Sequence, residues 1–417
     1  MTGTKTDRAA RIIARCREIA GYTEVPGEIT RRFLTPPMHG VHKLLRDWMV
    51  AAGMTVHVDA VGNLRGLWPA VTAQPRLLIG SHLDTVPNAG AFDGILGVVL
   101  GIAVVEELQD KRLPFSIEVI GFSEEEGVRF SKPFLGSLAV VGKLDATNLA
   151  RKDQDGTSVV DAIRAYGLDP AQLPAAVLSD DVFAYLEFHI EQGPILESQE
   201  TSLGVVEALV GQTRMQFVFD GQANHAGTTP MQLRRDAMAA AADWIVAVEA
   251  YAISHSGLVA TVGKVETSPG VGNVIAGHVT ASLDVRHASD GGRNVAVEAL
   301  TAAAHAAGAK RHVQVTTQTQ LEQSAVPLDP NLTDILHNVA TRAGFPCKRM
   351  TSGAGHDAMI LAPTIPSAML FLRSPGGLSH HPDESVLPQD VEAALATALE
   401  FLTLLGDDRS KLKDAHA

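Results

Sequence analysis

Four short apolar runs in this chain are each followed at once by residues that bind metal ions or move protons. Arg76–Gly80 (RLLIG) leads into S-H-L-D-T, bringing His82 and Asp84. Ser116–Phe122 (SIEVIGF) leads into Ser123 and then Glu124, Glu125 and Glu126. Val182–Phe188 (VFAYLEF) ends at His189, and Ala368–Leu372 (AMLFL) precedes G-G-L-S-H-H-P with His380. Between the first two runs, Asp93 opens a helix in G-A-F-D-G. Short uninterrupted apolar runs suit buried strands, and open α/β sheets build their sites just past the C-terminal ends of such strands. The expectation is an α/β fold, a central mixed sheet wrapped by helices.

Helical spacing over residues 8–20 and 38–52, and an apolar helix over Gly94–Gln109, supply the wrapping. The texture changes after Gly211. Arg214–Asp220 alternates as a strand, Arg235–Ala252 is a long Ala-rich helix, and Leu258–Val265 and His278–Arg286 are strands. A helix over Arg293–Ala307 and a strand over His312–Thr319 complete a strand–helix–strand–strand–helix–strand series, the ferredoxin-like plan. After Pro327–Pro330 the first texture returns. The division expected is therefore residues 1–211 with 328–417 as a discontinuous catalytic domain, and 212–327 as a smaller inserted α+β domain. Residues 408–417 read as a loose tail. A chain of 417 residues is long for a single core, which agrees with this split.

Composition removes several function classes. A formal charge of −13 without a Lys/Arg cluster argues against a nucleic-acid partner. Two cysteines, Cys16 and Cys347, provide neither a disulfide framework nor a thiolate metal cluster. The longest uncharged apolar stretch, Gly94–Val105, is 12 residues, too short for a bilayer, and Met1–Ala10 carries no apolar signal core. The expectation is a cytoplasmic protein with no membrane partner.

Imidazole and carboxylate donors together suit zinc, manganese, cobalt or nickel, and one carboxylate can bridge two ions. The arrangement expected has two divalent ions bridged by Asp93. His82 and His189 complete one, Glu126 and His380 the other, and Asp84 orients the His82 imidazole. Glu125, a carboxylate beside the ions but not on them, is the expected proton shuttle between attacking water and leaving nitrogen. Alone, each residue has a plainer reading. Asp93 would be a helix cap, the glutamate run a solvated helix start, and any one of 16 histidines a structural residue. Their coincidence at successive strand ends is what favours chemistry.

The segments GSHLDTV, GAFDGILG, SEEEGVRF, FHIEQGP, NHAGTTPM, SGAGHDAM and GGLSHHPDE resemble the hydantoinase/carbamoylase amidases, a branch of the two-metal aminoacylase and aminopeptidase superfamily. EEEGVRF, GQTR and SGAGHDAM are most similar to allantoate amidohydrolases, ahead of N-carbamoyl-L-amino acid hydrolases and β-ureidopropionases. The resemblance implies a zinc-aminopeptidase-type catalytic domain, the ligand set above, and Glu125 as general base. It implies a small ureido substrate, because peptidase relatives carry a carboxylate where His189 stands. It assigns His225 to polarising the scissile carbonyl, and Asn273 and Arg286 to the substrate carboxylate. Gln192 and the Gly353–His356 backbone, including Gly355, are further expected substrate contacts, and the resemblance implies a homodimer through the inserted domain. Register against Gly127 selects Glu125 and Glu126, with Glu124 the adjacent alternative, and the Ser-His spacing selects His380 over His381.

Overall fold

The structure is a computed structural model that describes residues 5–70, 75–109, 111 and 113–407; the expected tail at 408–417 lies outside these. Contacts divide the chain into two compact units, Met1–Glu207 with Leu328–Ala417, and Ala208–Pro327.

The first unit is organised by its most apolar helix. Every residue from Ile95 to Val105 is buried, so Ile95–Glu107 has no polar face to offer water and must be enclosed on all sides. One side lies on the central sheet, and the helices Lys5–Ala20 and Pro388–Asp407 cover the other. Gly97 permits the close approach, since a Cβ there would stand 2.2 Å from the Phe188 carbonyl oxygen. The sheet order is Thr55–Val58, Leu64–Trp68, Ser116–Phe122, Arg76–His82, Val182–Ile190, Ser367–Leu372, Leu203–Leu209, with Cys347–Ser352 also paired to Leu203–Leu209. Arg76–His82, Ser116–Phe122, Val182–Ile190 and Ser367–Leu372 are mutually parallel, while the flanking strands are antiparallel. The sheet is mixed, as the fold class requires.

In the second unit Val265–Ser268, His278–His287, Gly211–Asp220 and Gln314–Gln323 form an antiparallel sheet in that order. Numbered within the unit, this is the ferredoxin-like strand arrangement. Alternation along Gly211–Asp220 turns Met215, Phe217 and Phe219 into the core, where Phe217 and Phe219 meet Trp244 of the helix Ala237–Ser254. The strand expected over Leu258–Val265 is instead two, Val259–Thr261 and Val265–Ser268, both paired with His278–His287. Residues 262–264 oppose only 282 and 283, and Ser282 Oγ takes the Lys264 N–H at 3.0 Å, so a bulge at Gly263 breaks the ladder. The helix expected from Arg235 begins at Ala237 because Asp236 caps it, accepting the Ala239 N–H at 3.1 Å.

Among the described residues Ala237–Ser254 is the one helix long and apolar enough to cross a bilayer by length and composition. It packs Ala237, Ala240, Ala241, Trp244 and Val248 into the second unit's core, and its other face leaves Val246 and Ile253 exposed.

Candidate active site

Because the four parallel strands share one direction, their C-terminal ends lie along one sheet edge. His82 is the last residue of its strand and His189 the next to last of its own. Glu124, Glu125 and Glu126 follow Ser116–Phe122, and His380 lies in the loop after Ser367–Leu372. Asp93 immediately precedes Gly94, the residue that caps Ile95–Glu107.

Asp93 is the centre. Its Oδ1 lies 3.2 Å from His189 Nε2 and 3.5 Å from His82 Nε2, while its Oδ2 lies 3.3 Å from His380 Nε2. That same His380 nitrogen is 3.5 Å from Glu126 Oε1. Two groups result, His82–Asp93–His189 and Asp93–Glu126–His380, each with ligand atoms within 4.8 Å of one another. A third set, His82–Glu125–Glu126, meets the same distance criterion. His381 turns to Asp383, and Glu124 is fully buried outside these groups.

The donors suit a cation. His82 Nδ1 is 3.0 Å from the Asp84 carbonyl and His189 Nδ1 is 3.0 Å from the Ile190 carbonyl, so each Nδ1 carries the proton. The two Nε2 lone pairs then converge, only 3.3 Å apart. Asp93 Oδ1 and Glu126 Oε1 are buried without a hydrogen-bond partner. Lone pairs aimed at one another across a buried space are costly alone, and a divalent ion between them removes the cost. The mixture of imidazole and carboxylate matches zinc, manganese, cobalt or nickel.

Asp84 meets the His82 imidazole through its main chain. Its carbonyl, rather than its carboxylate at 3.5 Å, is the nearer partner of His82. The carboxylate instead accepts the main-chain N–H groups of Glu125 at 2.9 Å and Glu126 at 3.1 Å, which aims that turn. Burial holds the Glu125 carboxyl well above the usual carboxylate range, with His82 opposing and Glu126 reinforcing the shift. Burial also pushes Glu126 up to about 7. Asp93 goes the other way. Burial would raise it, but its contacts with His189, His380 and His82 outweigh burial and hold it well below.

Gln192 sits at φ +59° and places its side-chain nitrogen 3.0 Å from Asp93 Oδ2, so it serves the central carboxylate directly. The Gly353–His356 segment does not open onto a long helix, because the helix that follows is only Ala358–Leu361. The Ala354 N–H is taken by Ser352 Oγ, which uses up one donor expected to face a ligand, and just beyond the segment Glu187 takes the Ala358 N–H. Gly355 packs against Phe134. Three residues expected to meet substrate lie in the second unit. His225 is exposed, and its Nδ1 accepts the Gly227 N–H at 3.0 Å, which leaves the proton of the neutral ring on Nε2 as a donor. Asn273 adjoins it, its carbonyl accepting the Ala226 N–H. The Arg286 guanidinium grips Asp284 through Nε at 3.1 Å and Nη2 at 3.2 Å.

Sequence reasoning did not identify Glu384, Ser379, Glu187 or His356. His356 is buried with its ring 4.4 Å from that of His189, and its Nε2 is 3.0 Å from Ser352 Oγ. Only its place in SGAGHDAM hinted at a role. Glu384 and Glu187 bond main-chain N–H groups far along the chain and Ser379 meets the Asp93 carboxylate; GGLSHHPDE contains Ser379 and Glu384 but does not signal these partners.

Gly94 has φ +68°, and a Cβ there would lie 2.5 Å from the His82 ring. Gly94→Ala is expected to cost about 1–3 kcal/mol of stability and to displace His82. Thermal unfolding and metal content would check this; a variant with wild-type values for both refutes it.

Such a set, a carboxylate shared by two imidazole-containing groups at the strand ends of a mixed α/β sheet, defines a metal-dependent hydrolase. The sequence profile of peptidase family M20/M25/M40 matches residues 78–404. Allantoate deiminase from Arabidopsis thaliana is 37% identical over 96% of this chain and 84% of its own. N-carbamoyl-L-amino acid amidohydrolase from Geobacillus stearothermophilus is 37% identical over 91% of this chain and 94% of its own. A hydantoinase/carbamoylase family amidase from Burkholderia ambifaria superposes with a TM-score of 0.89 at 35% identity, covering 95% of this chain and 97% of that one. The chain belongs to the M20/M25/M40 family and, within it, to the hydantoinase/carbamoylase amidases, hydrolases of C–N bonds in linear amides.

Proposed function

We propose that the protein is an allantoate amidohydrolase that uses two divalent ions. The observation that carries the two-ion reading is Asp93, whose two oxygens face different imidazoles. His82, Asp93 and His189 would hold one ion, and Asp93, Glu126 and His380 the other. When bound, the ions supply Lewis acidity, making water easier to deprotonate and the carbonyl easier to attack.

The rest of the chemistry falls to side chains. Glu125, a carboxylate beside the ion ligands, takes the proton of the attacking water and passes it to the departing ureido nitrogen. The Asp84 carboxylate keeps the Glu125 main chain in place through the reaction. His225, with its proton on Nε2, donates to the scissile carbonyl oxygen as negative charge develops there. Arg286, oriented by Asp284, and Asn273 take the substrate carboxylate; a planar fork suits that anion. Gln192 holds Asp93 on one side and meets substrate on the other. Water and allantoate give ureidoglycine and carbamate, which falls to ammonia and carbon dioxide, a nitrogen-releasing step of purine breakdown.

The allantoate deiminases of Glycine max and Arabidopsis thaliana, each 37% identical, support this substrate. An N-carbamoyl-L-amino acid substrate is the second reading, favoured by the equal identity to the Geobacillus enzyme. Ammonia release by manganese-reconstituted protein separates them, with allantoate set against N-carbamoyl-L-amino acids and N-carbamoyl-β-alanine. Allantoate should be preferred; faster turnover of a carbamoyl amino acid overturns the substrate while leaving the site intact. We also propose a homodimer through the second unit, supported by its exposed Val246, Ile253, Val259 and Val295. Light scattering should then give about twice the 44.1 kDa chain mass.

A further inference from the structure

We propose that Glu384 is a positioning residue that ties Asp93 to the His380 loop, so that one carboxylate outside the ligand set assembles both ion sites. The inference rests on the two-ion reading above. Glu384 is buried, and its Oε1 accepts the main-chain N–H groups of Phe92 at 2.9 Å and Asp93 at 3.0 Å. Its Oε2 lies 3.4 Å from Ser379 Oγ, and that hydroxyl lies 3.2 Å from Asp93 Oδ2. Ser379 immediately precedes His380. The carboxylate therefore holds the backbone of the shared ligand with one oxygen and reaches the root of a second ligand with the other.

The arrangement is closely fitted. A Cβ on Gly90 would stand 2.3 Å from Glu384 Cβ and 2.6 Å from its Oε1, so the loop before Asp93 is wrapped onto this side chain. The Phe92 and Asp93 N–H groups precede the helix Ile95–Glu107, and one Glu384 oxygen accepts both. Among the described residues Glu384 makes no ion pair with lysine or arginine, although it is buried beside the Asp93 carboxylate. Placing one anion behind another is unfavourable unless positive charge lies beyond them. Ions held by Asp93 would be that charge, and the Glu384 carboxylate in turn strengthens the field that retains them.

The test is manganese binding to chelator-stripped protein by equilibrium dialysis, with thermal unfolding of the metal-free forms alongside. Glu384→Ala should weaken both ions by about 10–100-fold, the range for partners that orient metal ligands. Glu384→Gln, whose amide oxygen can still accept both N–H groups, should recover most of that loss. His189→Ala, which touches one group only, should weaken a single ion. Should Glu384→Ala fail to fold, Ser379→Ala tests the same joint and should weaken binding about tenfold. Wild type binding two ions, with Glu384→Ala or Ser379→Ala indistinguishable from it, overturns the inference alone. A purely structural role would lower the unfolding temperature of Glu384→Ala and Glu384→Gln alike without changing affinity, which also overturns it. Wild type binding fewer than two ions overturns the two-ion reading and this inference together.

Discussion

Glu125→Gln is expected to keep its full metal complement and to lose turnover by about 10³–10⁴-fold, the upper part of the range for a positioned acid–base group. Glutamine matches the shape of the residue but cannot accept the proton of the attacking water. Folding should not suffer. Glutamine keeps the volume of the buried side chain, and the main-chain bond from residue 125 to Asp84 does not involve that side chain. The measurement pairs ammonia release with metal content. Loss of metal in this variant would mean that the third geometric set, His82–Glu125–Glu126, is a real ion site and that Glu125 is a ligand. Near-normal turnover would mean that another group moves the proton.

Asp93→Ala should do what no other single ligand change does and abolish both ions. His189→Ala or His380→Ala removes a donor from one group, whereas Asp93 is common to His82–Asp93–His189 and Asp93–Glu126–His380. Metal content by atomic emission should fall from two ions to near zero, and activity by more than about 10³-fold, since the Lewis acid is lost along with its ligand. The chain should still fold, because Glu384 bonds the Asp93 main-chain N–H rather than its side chain. An alanine variant that retains one tightly bound ion would show that Asp93 does not bridge.

Much of this site is legible in the amino-acid sequence. His82, Glu125, Glu126 and His189 stand at or just beyond the ends of apolar strands, and strand ends can be read from local pattern. Asp93 was legible because a helix start is also a local signal. The second unit's plan could be read for the same reason, although Gly263 broke one strand and Asp236 shifted a helix start. What could not be read is how each ligand is held. Asp84 was expected to orient His82, but which of its groups would do so could not be read; its carbonyl meets His82 Nδ1 and its carboxylate turns to the Glu125–Glu126 main chain. Gln192 bonds Asp93, 99 residues away, and Glu384 bonds the Asp93 N–H across 291.

By itself, then, the sequence determined which residue types stand at which strand ends, and through them the class of chemistry. Hydrophobic runs and helix signals act over a few residues and leave a periodic trace that can be read. Only the tertiary structure decided that Glu384 and Gln192 would hold Asp93. Those partners meet because the sheet stacks distant strands side by side, and a hydrogen bond between such segments leaves no periodic trace in the chain.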